Sequence, residues 1–179
     1  MTPHIVIIGG GFGGLSAARA LRHADVRVTL IDRRNHHVFQ PLLYQVATAT
    51  LSPGDIAAPI RWILRSIRNV RVLLANATRI DTAARRIELS DGGSLDYDWL
   101  IVATGSKHAY FGHGDWEPNA PGLKTLEDAI AIRRRILIAF ERAEREEEAR
   151  RQRDLLTFVI VGGSAGSPRP VGGLSVMTK

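Results

Sequence analysis

His4-Ile5-Val6-Ile7-Ile8-Gly9-Gly10-Gly11-Phe12-Gly13-Gly14 sets the architecture of this chain. Five residues with four branched aliphatics, ended at once by glycine, read as a strand buried on both faces, as in a parallel sheet. Leu15 to Leu21 is alanine-rich and reads as a helix. Val26 to Ile31 reads as a second strand, closing on Asp32. The order is strand, glycine turn, helix, strand, acid, and each piece has a task in a dinucleotide site. Gly9 permits the tight turn, Gly11 lets backbone N–H groups approach a pyrophosphate, and Gly14 lets the helix lie close on the strand. The phosphates would sit at the positive end of the helix dipole, where unpaired N–H groups already point. Asp32 is placed to accept from a ribose 2′-OH, and an acid there disfavours a 2′-phosphate. The motif alone leaves FAD and NAD both open.

The next segments favour FAD. Asn35 to Pro59 is broken by proline and glycine and carries Phe39-Gln40-Pro41-Leu42-Leu43-Tyr44-Gln45, which has neither helical nor strand periodicity. Ile56 to Ser66 reads as a helix, Val70 to Ile80 and Arg85 to Leu89 as strands, and Asp91-Gly92-Gly93-Ser94 as a hairpin turn. Leu95 to Ala103 ends the run, with Leu100 to Ala103 as another buried parallel strand. The expected fold class is α/β: a Rossmann-like FAD-binding domain, a parallel sheet with an antiparallel β excursion. Ala103-Thr104-Gly105 would bring a second backbone turn up to the cofactor.

Composition removes several alternatives. The chain has 179 residues, of which 45% are hydrophobic, enough for a buried core. It has no cysteine, which excludes disulfide scaffolds, CxxC redox pairs, cysteine-ligated zinc and iron–sulfur clusters. The net charge of +6 comes from arginines interleaved with acids, and no aromatic residues alternate with them, so no nucleic-acid footprint is expected. His36 and His37 are adjacent and diverge in extended chain, which argues against a two-histidine metal site. The start of the chain runs straight into a strand without the basic, cleavable pattern of a signal peptide. No apolar stretch reaches the ~18 residues of a membrane span. A cytoplasmic location is the default expectation.

The chain resembles the N-terminal portion of a type II NADH dehydrogenase, a non-electrogenic NADH:quinone oxidoreductase with two dinucleotide-binding domains. The matching stretches are Ile5–Gly14, His37–Thr48 (HVFQPLLYQVAT), Asp96–Ser106 (DYDWLIVATGS), Tyr110–His113 (YFGH) and Ala120–Asp128 (APGLKTLED). The resemblance implies FAD as cofactor, NADH as substrate of the full-length parent and a quinone as its electron acceptor. It implies that Gly9, Gly11 and Gly14, with the backbone at Phe12 and Gly13, hold the FAD pyrophosphate. Asp32 with Arg33 would bind the adenosine ribose. Ala77 matches the position whose backbone pairs with adenine, and Ala103, Thr104 and Gly105 would approach from the second crossover. The segment from Gln40 to Gln45 matches the loop near the isoalloxazine ring and quinone pocket. Phe39, Leu42, Leu43 and Tyr44 read equally as core packing or as pocket wall. The resemblance allows a homodimer, and gives membrane association, at the cytoplasmic face, to a later C-terminal part. It identifies no catalytic side chain.

The expected organisation is an FAD-binding domain over residues 1–122, a linking helix over 123–154 and the first strand of a second, NADH-binding domain over 155–163. Ile130, Ile136, Leu137, Phe140 and Ala143 give that helix an apolar stripe. Ser164 replaces the middle glycine expected of a second glycine turn, and Pro168 and Pro170 oppose the helix that should follow. Residues 164–179 therefore read as a disordered, out-of-family tail left by a frameshift or truncation, with the chain alone catalytically incomplete. Two other readings stand beside this one: a non-catalytic FAD- or ADP-binding remnant, and a fragment of another flavin reductase such as a ferredoxin reductase.

Overall fold

A computed structural model describes residues 2–161 and 175–178. In chain order the elements are β1 (His4–Ile8), α1 (Phe12–Ala20), β2 (Arg27–Asp32), β3 (His36–Val38), α2 (Leu43–Ala47), α3 (Pro53–Ile56), β4 (Ala57–Pro59) and α4 (Ile60–Ile63). They continue with β5 (Val70–Leu74), β6 (Ala77–Asp81), β7 (Arg86–Leu89), β8 (Ser94–Asp96), β9 (Trp99–Val102), α5 (Leu126–Glu144), α6 (Ala149–Leu155), β10 (Phe158–Val161) and β11 (Ser175–Thr178). The chain forms two compact units, one of Met1–Val38 with Ala57–Ser106 and one of Phe39–Ile56 with Lys107–Lys179. This grouping cuts across the domain expected from residue 1 to 122, because α2 packs on α5.

The first unit is built on a parallel sheet in the order β5-β2-β1-β9. Ile5, Ile7, Val28 and Leu30 pack on one face with Leu15 and Ala18 of α1 and with Ile60 and Leu64. Val6, Ile8 and Ile31 pack on the other with Ile87, Leu89 and Leu95 of the antiparallel meander β6-β7-β8. Burial on both faces is why Ile5–Ile8 is continuously apolar and Val28–Ile31 is interrupted only by the buried Thr29. The α/β class and the antiparallel excursion expected from the sequence are both present.

Several local expectations change. Ile56–Ser66 is not one helix: Ala57–Pro59 pairs with His36–Val38, and helix begins only at Ile60. Pairing overrides the helix propensity of two alanines, and Pro59 ends the strand where its missing N–H costs nothing. Val70–Ile80 divides into β5 and β6, which lie in different sheets. The strand ending at Val102 is an edge strand with Trp99 and Val102 exposed, not a buried one.

In the second unit, the stretch read as aperiodic is helical. A 3-10 turn over Gln40–Leu42 takes Pro41 in its first turn, where proline is tolerated, and leads into α2. Leu43, Val46 and Ala47 form the buried side of α2. Thr125 and Asp128 form a reciprocal capping box that starts α5. The buried stripe of α5 is Leu126, Ala129, Ile132, Ala139 and Ala143, whereas Ile130, Leu137 and Phe140 are exposed. Ala143 is in the buried stripe as expected, and the rest was displaced because apolar residues occupy two sides of α5. The helix also breaks before Arg153. Glu146, Glu147 and Glu148 would bring like charges onto the negative end of α5, whereas before α6 they face a positive end. Gln152 Nε2 donates to the Ala143 carbonyl at 3.0 Å, satisfying a terminal acceptor of α5. Most of the tail read as disordered lies outside the described residues. Ser175–Thr178, however, is a strand antiparallel to Phe158–Val161, in keeping with four residues free of glycine and proline.

At the start of β1, His4 bridges two strands through a 2.8 Å contact between Nε2 and the buried Thr29 hydroxyl. Burial, and then the charge of Arg27, push the imidazole below its ordinary pKa, with Asp96 and Asp98 opposing. A depressed folded pKa favours the neutral ring in the fold. Its contribution is complete above the unfolded value and is lost as pH falls through the folded one. Thermal unfolding of the parent and His4→Gln should therefore keep a constant offset above ~pH 7, with the parent losing ground below ~pH 6. An offset unchanged across that window would contradict this reading of His4.

Candidate dinucleotide-binding site

The glycines after β1 divide into those whose surroundings leave no space for a side chain (Gly9, Gly10 and Gly14) and two, Gly11 and Gly13, where a Cβ would fit. Gly9 has φ +106°, and a Cβ there would strike the Ala103 carbonyl. A Cβ on Gly14 would overlap the Gly9 carbonyl oxygen, so α1 lies on the end of β1 with no space for a side chain. A Cβ on Gly10 would meet Ile60 Cδ1. Gly11 differs: its φ of −76° suits any residue, and nothing lies within 4 Å of where its Cβ would be. Neither space nor backbone conformation demands glycine at residue 11, although an N-cap favours it over the apolar residues. An approaching ligand gives a further reason.

Gly11 is also the N-cap of α1. No side chain caps this end and no acid stands in the first turn. Helix geometry leaves the first-turn N–H groups without intrahelical acceptors, and the dipole adds partial positive charge. The fold therefore presents an anion cradle whose floor is backbone at Gly11, Phe12 and Gly13. Its donor chemistry suits a diphosphate.

Asp32 ends β2 beside this loop. Its Oδ2 accepts from the Gly10 amide at 2.6 Å and its Oδ1 from the Arg34 amide at 2.7 Å. The carboxylate thus braces the glycine turn and keeps lone pairs for a hydroxyl donor. Arg33 is exposed next to it. The Ala75 amide donates to the Asp32 carbonyl at 2.9 Å, which places the β5–β6 junction, and Ala77 just after it, along the same side. Ala103 closes the loop from β9: its amide donates to the Ile8 carbonyl at 2.8 Å, and its Cβ would lie 3.6 Å from a Cβ on Gly13. Thr104 and Gly105 follow, exposed, with Gly105 at φ +72°. The structure thus gathers Gly9, Gly11, Phe12, Gly13, Gly14, Asp32 and Ala103 in one place. Gln45 lies in the second unit, where its Nε2 donates to the Tyr44 hydroxyl at 2.9 Å. Leu43 is buried there, Leu42 is half-buried, and Phe39 and Tyr44 are exposed.

Sequence reasoning missed three participants. Gly10 donates to Asp32, Ile60 fills the space beside Gly10, and His37 Nδ1 lies 3.1 Å from the Gly10 carbonyl oxygen. A glycine beyond those the GxGxxG pattern needs was the available signal for the first. The other two depend on β3 and α4 folding back, which no local pattern shows. Among the described residues no cluster of His, Cys, Asp or Glu could hold a metal ion, and no helix is long and apolar enough to cross a membrane.

Residues 3–166 match the family described as pyridine nucleotide-disulphide oxidoreductase. The chain is 52% identical over 161 residues to the type II NADH:quinone oxidoreductase Ndh of Mycobacterium tuberculosis, covering 88% of this chain and 35% of that protein. Among solved structures it resembles NDH2 of Plasmodium falciparum in complex with NADH, at a TM-score of 0.75 and 26% identity over 86% of this chain and 32% of that one. It also resembles the sulfide:quinone oxidoreductase of Aquifex aeolicus, at a TM-score of 0.72 and 30% identity over 78% of this chain and 33% of that one. The chain spans about a third of the length of the curated relatives it matches.

The two kinds of glycine predict opposite outcomes. Gly14→Ala should destabilise the fold by the upper part of the ~1–3 kcal/mol range for overpacking, because backbone opposes backbone. Gly11→Leu should leave stability within about 1 kcal/mol while lowering FAD affinity at least about tenfold. Thermal unfolding and flavin-fluorescence titration measure the two effects. Equal loss of stability in both variants would contradict the division.

Proposed function

Because the chain belongs to the pyridine nucleotide-disulphide oxidoreductase family, we propose that it is the FAD-binding segment of a flavin-dependent NADH:quinone oxidoreductase working at the cytoplasmic face of a membrane. The observation that carries this reading is Gly11: a glycine that neither space nor backbone conformation demands, at the electropositive end of α1, which no side chain caps. The 52% identity to a type II NADH:quinone oxidoreductase supports the choice of FAD chemistry over a plain NAD domain. So does the antiparallel meander between β5 and β9.

When bound, FAD supplies the two-electron chemistry between NADH and quinone. The chain's own residues bind and orient. Amides at Gly11, Phe12 and Gly13 donate to the pyrophosphate, and Gly9 and Gly14 hold α1 where those amides converge. Asp32, with Arg33 beside it, accepts from the adenosine ribose while keeping its hold on Gly10. The backbone at Ala77 meets adenine, and Ala103, Thr104 and Gly105 close the other side. The role given to Gln45, on the flavin side, rests on the likeness of the FQPLLYQVA stretch and on no contact described above. The organisation into an FAD part, a connecting helical segment and the opening strand of an NADH-binding part rests on the same likeness. No side chain of this chain is assigned to proton or hydride transfer.

Visible absorption of the purified chain tests the reading. Added FAD should be retained through desalting with its flavin band intact, and anaerobic NADH should leave the band unbleached. Among the described residues, α1 offers the one glycine-lined cradle for a dinucleotide. Failure to retain FAD would overturn the cofactor assignment. Bleaching by NADH would overturn the view that this chain holds only the flavin part of the reaction site.

A further inference from the structure

His37 is adjacent to an unremarkable histidine on a three-residue strand, yet its ring is engaged on two sides. Its Nδ1 lies 3.1 Å from the Gly10 carbonyl oxygen. Its ring also stands edge-on to Phe12, with centroids 4.9 Å apart and planes at 89°. The side chain therefore brackets Gly11, where neither space nor backbone conformation demands glycine. A carbonyl oxygen carries no proton, so Nδ1 must be the donor, which fixes the neutral ring as the Nδ1–H tautomer. Meanwhile Asp32 Oδ2 accepts from the Gly10 amide at 2.6 Å. The two peptide groups flanking the Gly10 Cα are thus held by side chains from two different strands.

This hold has a directional consequence. In a trans peptide the C=O of one residue and the N–H of the next point in opposite directions. With the Gly10 carbonyl turned to His37, the Gly11 amide is turned away from that ring. We infer that His37 is a positioning residue for the cofactor: its Nδ1–H fixes the 10–11 peptide, and so aims the first pyrophosphate donor before the ligand arrives. The inference rests on the FAD reading above. It adds a side chain, and a tautomer, that the glycine motif does not specify. Preorganised donors need no reorientation on binding, so losing the bond should lower affinity without removing any ligand contact.

Geometry-matched substitutions provide the test. An Asn amide places its N–H near the position of Nδ1, whereas a Gln amide places it near that of Nε2. FAD affinity of the purified chain, read by flavin-fluorescence quenching, should fall about three- to tenfold in His37→Ala and His37→Gln. His37→Asn should restore it to within about twofold of the parent. Independently, 15N spectra of the parent's imidazoles, recorded without FAD in alkaline buffer, should show the Nδ1–H tautomer at His37. Equal affinity in all variants, equal loss in Asn and Gln, or an Nε2–H tautomer would each overturn the inference. A parent that shows the Nδ1–H tautomer yet binds no FAD would instead overturn the cofactor reading and leave the Gly10 bond standing.

Discussion

Helix α1 meets the end of β1 so closely that residue 14 has no room even for a methyl group beside the Gly9 carbonyl. From this contact the rest of the first unit follows. It fixes the direction of the helix, and with it the line along which partial positive charge emerges at Gly11. It obliges the chain between strand and helix to turn within a few residues, which Gly9 does at positive φ. A turn this tight cannot satisfy its own backbone groups. Asp32, the Ile31 carbonyl and His37 therefore take the amides and carbonyl that the turn leaves over. The first-turn amides have no acceptor within the helix itself.

Much of this was legible in the sequence because it is enforced locally. A strand buried on both faces must be continuously apolar, as Ile5 to Ile8 are, and a tight turn under a helix must be small where it touches its neighbours, as Gly9 and Gly14 are. Asp91-Gly92-Gly93 announced the β7–β8 hairpin for the same reason. The rest depended on parts of the chain that meet only in three dimensions. Ala57 and Ala58 have the composition of a helix and become a strand because His37 and Val38 are there to pair with them. Gly10 shows no reason for being glycine until Ile60 folds over it. Most of the stripe on α5 was misplaced because apolar residues occupy two of its sides, and only packing selects between them.

Asp32 illustrates the difference between a residue's location and its work. Its place at the end of β2 was read as the ribose position of a dinucleotide fold. The structure adds that both carboxylate oxygens already serve the protein, one on Gly10 and one on Arg34. The same acid thus shapes the glycine loop, and under the proposed FAD reading it would also face the sugar, coupling two parts of one site through a single side chain. The FQPLLYQVA stretch carries much of the family likeness, yet it belongs to a different compact unit, organised around α5.

The central claim is that backbone amides at the start of α1 receive a diphosphate. Two-dimensional 1H–15N spectra of the chain, recorded as FAD is added, test it most directly. The account predicts that the amide signals of Gly11, Phe12 and Gly13 move downfield together and exchange more slowly with solvent as the nucleotide binds. Saturable binding that shifts signals elsewhere while those three stay in place would contradict it.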